Sequence, residues 1–341
     1  MKTVFSEDHL LRQARTELYG GQLVEPFERP SRARYIFDRL KAVDLGPVLP
    51  PEDHGMDPIL AIHDAGLMRF LQGAWQEWVA EGYKGEAIAT CWPARRMQQR
   101  CPNHIDGKLG YYALATETSI TEGTWGAAYA SAQVALTAAD LVLGGERAAF
   151  ALCRPPGHHA AYDMYGGYCF INNAAVAAQW MLGQGAKRVA ILDVDFHHGN
   201  GTQDIFYDRD DVLFISLHGA PEDAFPHFLG YADETGKGAG EGYTINYPMP
   251  PGTTFATWRK ALAAALQQIA DYAPDMLIVS LGVDTFETDP ISFFKLTSPD
   301  FTTYGSDIAG LNLPTLFVME GGYDIDEIGL NTVNVLQGFE G

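Results

Sequence analysis

From residue 148 onward the sequence alternates short apolar runs with helix-length segments, and that rhythm leaves few folds open. AAFALC, Val189–Leu192, VLFISLHG (212–219), MLIVSLGVD (276–284) and PTLFVMEGGY (314–323) are dominated by aliphatic and aromatic residues and bounded by glycine, proline or acids. Such runs suit strands covered on both faces, not strands with one wet face. Between them lie helix-length stretches at 172–183 (which Asn172 can cap), 201–207, 257–272 and 302–311, and Glu327–Phe339 closes the chain as a helix. This order predicts an α/β fold with a mostly parallel multi-stranded sheet flanked by helices on both faces. Upstream, Thr3–Phe5 reads as a strand and ELYGG (17–21) as a loop. Ser31–Val43 reads as a helix capped by Ser31, and His63–Val79 and Thr124–Leu143 as two more. No repeat or linker interrupts the chain, so 1–341 reads as a single domain. Residues 82–123 are the exception: a long aperiodic insertion, rich in glycine and aromatics, of the kind that serves function or subunit contact.

The chain lacks the run of about 18 apolar residues that a membrane span needs. MKTVFSEDHL meets acids too early for a secretory signal. Cys91, Cys101, Cys153 and Cys169 form no C-x-x-C pair, which argues against a cysteine metal site and fits a reducing cytoplasm. The net charge of −20 disfavours nucleic acid and anionic membranes and favours cationic substrates. A merely soluble surface would account for the same charge.

Polar residues appear where the apolar runs end. After Ile191 and Leu192 come Asp193, Asp195 and His197, which share a face on an extended chain. A carboxylate at the end of a buried strand is costly unless it is paired, and a divalent cation would pair it. Asp195 and His197 supply oxygen and nitrogen ligands of the kind zinc accepts, and a catalytic site wants a third protein ligand. Asp284, at the end of MLIVSLGVD, is that third ligand. RPPGHHA places His158 and His159 on a stiff loop, and PTLFVM runs into Glu320, two glycines and Tyr323. Ligands of parallel sheets gather at such carboxyl ends. Zinc on Asp195, His197 and Asp284 would acidify a water and polarise a carbonyl. A histidine beside the water would move its proton, Tyr323 would donate to the developing oxyanion, and Asp193 would orient His158 behind the ligands. Such machinery suits amide hydrolysis.

At RPPGHHA, GGYCFINN, DVDFHHGNG, SLGVD and EGGY the chain resembles the arginase–deacetylase superfamily, and within it the zinc-dependent histone-deacetylase-like enzymes. The insertion and the segment FSEDHLLRQARTELYGG make it similar to the bacterial acetylpolyamine amidohydrolase branch. The resemblance implies a deacetylase domain with zinc on Asp195, His197 and Asp284, a two-aspartate, one-histidine set that by its donor chemistry also accommodates ferrous iron or cobalt. It implies His159 as general base and acid, His158 as its electrostatic partner and Tyr323 as the carbonyl clamp. Asn200, in place of the aspartate that first-class histone deacetylases carry, would orient His159. Tyr168, Phe225 and Ile291 would line a narrow channel, and the Gly167 carbonyl would accept from the substrate amide. Structural potassium or sodium would sit at Asp193, Asp195, His197, Ser216 and Leu217, and a second such ion at Phe206, Arg209, Val212 and Tyr243. The substrates implied are small cationic acetylated polyamines; their free ammonium needs acid partners, for which Asp106 and Glu117 of the insertion are the candidates. The implied assembly is a cytoplasmic homodimer paired through the 82–123 insertion.

Three other readings compete. A protein deacetylase acting on acetyl-lysine would carry the same motifs, but the insertion and the acidity favour a small amine. A silent binding protein on this fold would be expected to lack Tyr323 or one histidine of the pair, and the chain keeps all three. An arginase-like manganese pair would want more carboxylates, whereas Phe196, Thr285 and Phe286 flank the ligands.

Overall fold

A computed structural model describes residues 1–341. Its main sheet has eight strands in the order β4-β1-β5-β10-β9-β6-β7-β8. These are β1 (Lys2–Val4), β4 (Val48–Leu49), β5 (Ala148–Ala151), β6 (Val189–Asp193), β7 (Val212–Gly219), β8 (Thr244–Met249), β9 (Met276–Leu281) and β10 (Thr315–Met319). Every neighbouring pair in it is parallel. The expected mostly parallel sheet is therefore wholly parallel, and its strands are as apolar as two-sided burial requires: β5, β6, β7 and β10 are buried at every residue.

The helices are α1 (Ser31–Ala42), α2 (Asp57–Leu60), α3 (Ala65–Ala80), α4 (Ile105–Tyr112), α5 (Thr124–Leu143), α6 (Asn173–Gly183), α7 (Asn200–Phe206), α8 (Phe255–Tyr272), α9 (Ser298–Ala309) and α10 (Ile328–Glu340). They cover the sheet in two layers with separate cores. One core packs α3, α5 and α6 against one sheet face through residues such as Leu71, Leu136, Val176, Ile191 and Phe214. The other packs α1, α8, α9 and α10 against the opposite face through Ile36, Trp258, Phe301, Leu192 and Phe317. Alternate residues of β6 thus serve opposite cores, as the period of two in a strand dictates. The helix α5 is apolar and long enough to cross a bilayer, yet 72% of its apolar window is buried inside the protein.

Local chemistry set several boundaries differently from the sequence expectation. ELYGG is not a loop: Glu17–Tyr19 (β2) and Gln22–Val24 (β3) form an antiparallel hairpin about Gly20–Gly21. Both glycines have positive φ, as a two-residue hairpin turn with native twist demands. Ser31 does not cap α1; Pro30 holds that position, so Ser31 is already helical. Asp64 caps α3 by accepting the Leu67 N–H at 3.0 Å, which moves its start past His63. Asn172 caps α6 as expected, accepting the Ala175 N–H at 3.0 Å. The 82–123 segment carries more order than its aperiodic sequence suggests: it holds α4 and a backbone bridge between Ala87 and Ile120.

Candidate active site

The site lies beyond the carboxyl ends of β5, β6, β9 and β10. Strands β6 and β9 are neighbours, with Asp193 opposite Ser280, so the loops that follow them meet. Strand β6 stops at Asp193, and the next residues fold through successive i to i+2 bonds. The Asp195 N–H donates to Asp193 Oδ1 at 3.1 Å and the His197 N–H to Asp195 Oδ1 at 2.8 Å. Asp195, His197 and Asp284 are thereby gathered with their ligand atoms within 4.8 Å of one another, all buried. His197 Nδ1 is 3.3 Å from Asp195 Oδ1 and 3.0 Å from Asp284 Oδ2. Backbone N–H groups of Gly321 and Phe196, each at 2.7 Å, fix the carboxylates of Asp195 and Asp284. Gly321 is required there, because a Cβ would lie 2.5 Å from Asp284 Oδ2 and 2.6 Å from Asp195 Oδ2.

The electrostatics show what the triad needs. Burial, and then the charge of Asp195, push Asp284 up to about 8. Burial opposes ionisation of Asp195 too, but the positive charges of His158 and His197 pull it well below the usual carboxylate range. Burial works against the His197 imidazolium, yet the two carboxylates hold it up at about 10. A pair of fully buried carboxylates thus competes for one proton. A divalent cation accepts the same two oxygens and the imidazole nitrogen together, so the donor set fits a metal.

The loop after β5 carries His158 and His159, with ring centroids 4.1 Å apart. Glu320 anchors it, one carboxylate oxygen accepting the N–H groups of Gly157 (2.7 Å) and His158 (3.1 Å). Behind it Arg154 forks onto Glu28 at 2.7 and 3.1 Å. His158 Nδ1 lies 2.9 Å from Asp193 Oδ2, and His159 Nδ1 lies 2.6 Å from Asn200 Oδ1. The two rings are driven apart electrically. Burial lowers His158, but Asp193 and Asp195 outweigh it and hold the ring protonated up to about 10. Burial, then the charges of His158 and His197, hold His159 well below its usual value. Tyr323 leaves β10 through Gly321–Gly322. Its ring lies under the Arg32 guanidinium at 4.7 Å, and Arg32 also donates to the Gly322 and Glu320 carbonyls.

A cavity of about 330 Å³ opens over these groups, lined by His159, His197 and Tyr323 at its floor and by Gly167, Tyr168, Phe225 and Ile291 on its walls. Gly167 and Tyr168 both have positive φ, and a Cβ on Gly167 would collide with the His159 ring at 2.2 Å. Glu117 also lines the cavity and accepts the Gly167 N–H at 2.9 Å. Asp106 does not: it sits half-buried on α4, accepting the Tyr83 hydroxyl at 2.9 Å, outside the cavity lining of this chain. Sequence reasoning missed Glu17, whose carboxylate accepts the Tyr168 hydroxyl at 2.6 Å, and also Asp223, His227, Phe196 and Phe293 in the lining. For the first implied monovalent-ion set, Asp193 lies opposite Ser216 in the β6–β7 register and Leu217 follows it. In the second, the Phe206 carbonyl accepts the Arg209 N–H and the Tyr243 carbonyl the Phe214 N–H, while the Arg209 side chain forks onto Asp211.

A parallel α/β sheet with an Asp–His–Asp triad, a histidine pair and a tyrosine at its carboxyl edge defines a class of metal-dependent deacetylases. The histone deacetylase domain model matches residues 26–339, and the chain belongs to that family, which carries a divalent metal site. Within it, the chain is 60% identical to the acetylpolyamine amidohydrolase of Mycoplana ramosa, covering 100% of both chains. It is 58% identical to acetylpolyamine amidohydrolase 2 of Pseudomonas aeruginosa, over 100% of this chain and 99% of the other. Its structure superimposes on an acetylpolyamine aminohydrolase from Burkholderia pseudomallei with a TM-score of 0.94, at 41% identity and covering 99% and 98% of the two chains.

The Asn200 contact makes a prediction. Replacing Asn200 by aspartate gives His159 a charged partner that stabilises its imidazolium more than an amide does. The His159 pKa should rise. If His159 is the base, which must be neutral to act, the acidic limb of the pH–kcat/KM profile should move to higher pH by about one unit. An unmoved limb would mean that His159 is not the titrating base.

Proposed function

We propose that this chain is a zinc-dependent amidohydrolase that splits the acetamide of small acetylated polyamines, of the acetylputrescine, acetylcadaverine and acetylspermidine type, into free amine and acetate. The observation that carries the reading is identity near 60% over the whole length with acetylpolyamine amidohydrolases. The acid-lined cavity supports it: Glu17, Glu117 and Asp223 border the channel, and they suit a cationic amine.

Asp195, His197 and Asp284 would hold zinc, which when bound acidifies water and polarises the scissile carbonyl. Ferrous iron or cobalt would fit the same donors. Asn200 accepts the Nδ1 proton of His159, which leaves Nε2 as the free base. That nitrogen takes a proton from the attacking water and passes it to the leaving amine. The His158 imidazolium, held by Asp193, stays charged beside it and keeps His159 neutral until it acts. Tyr323 donates its hydroxyl to the carbonyl oxygen as negative charge develops there. The Gly167 carbonyl, with Tyr168, Phe225 and Ile291, orients the acetamide. Potassium or sodium at the Asp193–Leu217 and Phe206–Tyr243 sets would stiffen the loops behind the site. The insertion exposes Trp92 and Met97, the latter at 71%, and pairing of two chains through it would cover them. Four free thiols suit a reducing cytoplasm.

The test is a substrate panel on zinc-loaded enzyme. We expect kcat/KM for acetylputrescine and acetylcadaverine to exceed that for acetyl-lysine peptides by at least about 100-fold, the discrimination of a pocket that leaves charged groups unpaired with the wrong ligand. Comparable hydrolysis of peptides would replace this reading with a protein deacetylase. Binding without turnover of either class would leave a non-catalytic protein on the same fold.

A further inference from the structure

Asp289 lies in the loop after β9, between the ligand Asp284 and the channel residue Ile291, and is 6% exposed. All the hydrogen bonds to its side chain come from backbone N–H groups. Oδ1 accepts the Ile291 N–H at 3.1 Å, closing a local turn. Oδ2 accepts the Tyr323 N–H at 2.7 Å and the Asp324 N–H at 3.3 Å, across 34 and 35 residues of sequence. Three backbone donors converge on one carboxyl group, whose two oxygens accept all of them. A second strut runs beside it, from the Thr288 hydroxyl to the Asp324 carboxylate. The Tyr323 loop needs such a fixing point. It follows two glycines, the second with φ +132°, so the chain entering Tyr323 has little stiffness of its own. The Arg32 guanidinium confines the ring, and Asp289 holds the backbone from which that ring projects.

We propose that Asp289 is a positioning residue: one carboxylate that sets the Tyr323 hydroxyl and the Ile291 wall in fixed relation across the cavity. The inference rests on the reading that Tyr323 donates to the scissile carbonyl. Hydrogen bonds of oxyanion type lose most of their value when the donor is displaced by a fraction of an ångström, so the bridge acts on turnover more than on binding.

D289S separates the two halves of the contact. A serine hydroxyl can keep the short i to i+2 turn to Ile291 but cannot reach Tyr323. D289N keeps the size and turns an NH2 donor toward N–H groups. We expect D289S to lower kcat at least about 30-fold on an acetylated diamine while KM changes by less than about threefold, with zinc stoichiometry unchanged, and D289N to do the same. The loss should shrink for the trifluoroacetyl amide, whose carbonyl depends less on a donor. It should also vanish in a Y323F background, where D289S should cost less than about twofold because both changes remove one interaction.

Equal losses on both amides, or a full further loss in the Y323F background, would reduce Asp289 to a general packing role and overturn the proposal. Unchanged kcat in D289S beside an inactive Y323F would overturn it while leaving the tyrosine reading intact. An active Y323F would overturn that reading itself. Should D289N fail to fold, D289S and its double mutant decide the matter alone.

Discussion

Replacing Tyr323 by phenylalanine is expected to lower kcat by about two to three orders of magnitude while KM and bound metal stay near their original values, the size of effect seen when one preorganised oxyanion donor is removed. The change deletes one oxygen from a ring whose placement does not depend on it. The backbone is held by Asp289, the ring by Arg32, and Tyr168 packs edge-on at 5.6 Å between centroids. Burial first, with the charges of Asp195, Tyr168 and Asp284 adding to it against Arg32, keeps the phenol pKa well above its usual value. The hydroxyl therefore remains a donor throughout the working pH range, and its loss cannot be mistaken for a titration. Kinetics on acetylputrescine, with metal content measured on the same samples, check the result. A variant within about threefold of the parent would remove Tyr323 from the oxyanion role and leave carbonyl polarisation to the metal ligands' side of the cavity.

The parts of this site that were legible in the sequence share a physical reason. Asp195, His197, Asp284, His158, His159 and Tyr323 each follow an apolar run that could only be a buried strand, and parallel strands deliver their carboxyl ends to one edge. Polar residues there stand out against the aliphatic runs because burying them unpaired is costly. The sheet itself was legible for the same reason, since two-sided burial writes itself as unbroken hydrophobicity.

What was not legible depends on contacts between segments distant in sequence. Glu17 reads as an ordinary acid beside two glycines, and only the β2–β3 hairpin brings it 2.6 Å from the Tyr168 hydroxyl. Asp106 and Glu117 looked equivalent, two acids among aromatics in one insertion. The structure separates them: Glu117 turns in to the Gly167 N–H, whereas α4 holds Asp106 outward against Tyr83. The helix itself was missed because only Ile105, Leu109, Gly110 and Tyr112 are buried on its short length, too few for a clear period. Ser31 failed as a cap because Pro30 already supplies a fixed φ and starts the helix one residue earlier. Asp289 carried no signal for its bridging contacts, since those run to the backbone of Tyr323 and Asp324, 34 and 35 residues away.

Stripping the metal with a chelator should abolish turnover, lower the melting temperature, and do so more strongly as the pH rises. Metal that binds the folded chain alone stabilises it by about 4 kcal/mol at a thousandfold excess over Kd. The pH dependence follows from the two groups that take up protons in its place. An unfolded aspartate ionises near pH ~4, whereas Asp284 in the metal-free fold keeps its proton to about 8. Between those values the unfolded chain has lost a proton that the folded chain retains, so the metal-free fold loses stability as pH rises, levelling off above about 8. His197, held at about 10 against roughly 6.5 when unfolded, acts in the same direction: its stabilisation is complete below pH ~6.5 and is lost as pH climbs toward 10. Asp195, depressed, contributes the opposite slope only in acid, below pH ~4. Metal binding, by contrast, requires the deprotonated ligands and tightens as pH rises. The gap in melting temperature between loaded and stripped protein should therefore widen steadily from pH 6 to pH 9, and zinc should restore both stability and turnover. A gap that stayed constant over that range would mean that Asp284 and His197 are not the groups exchanging protons for metal. Turnover surviving chelation would remove the metal from the chemistry altogether.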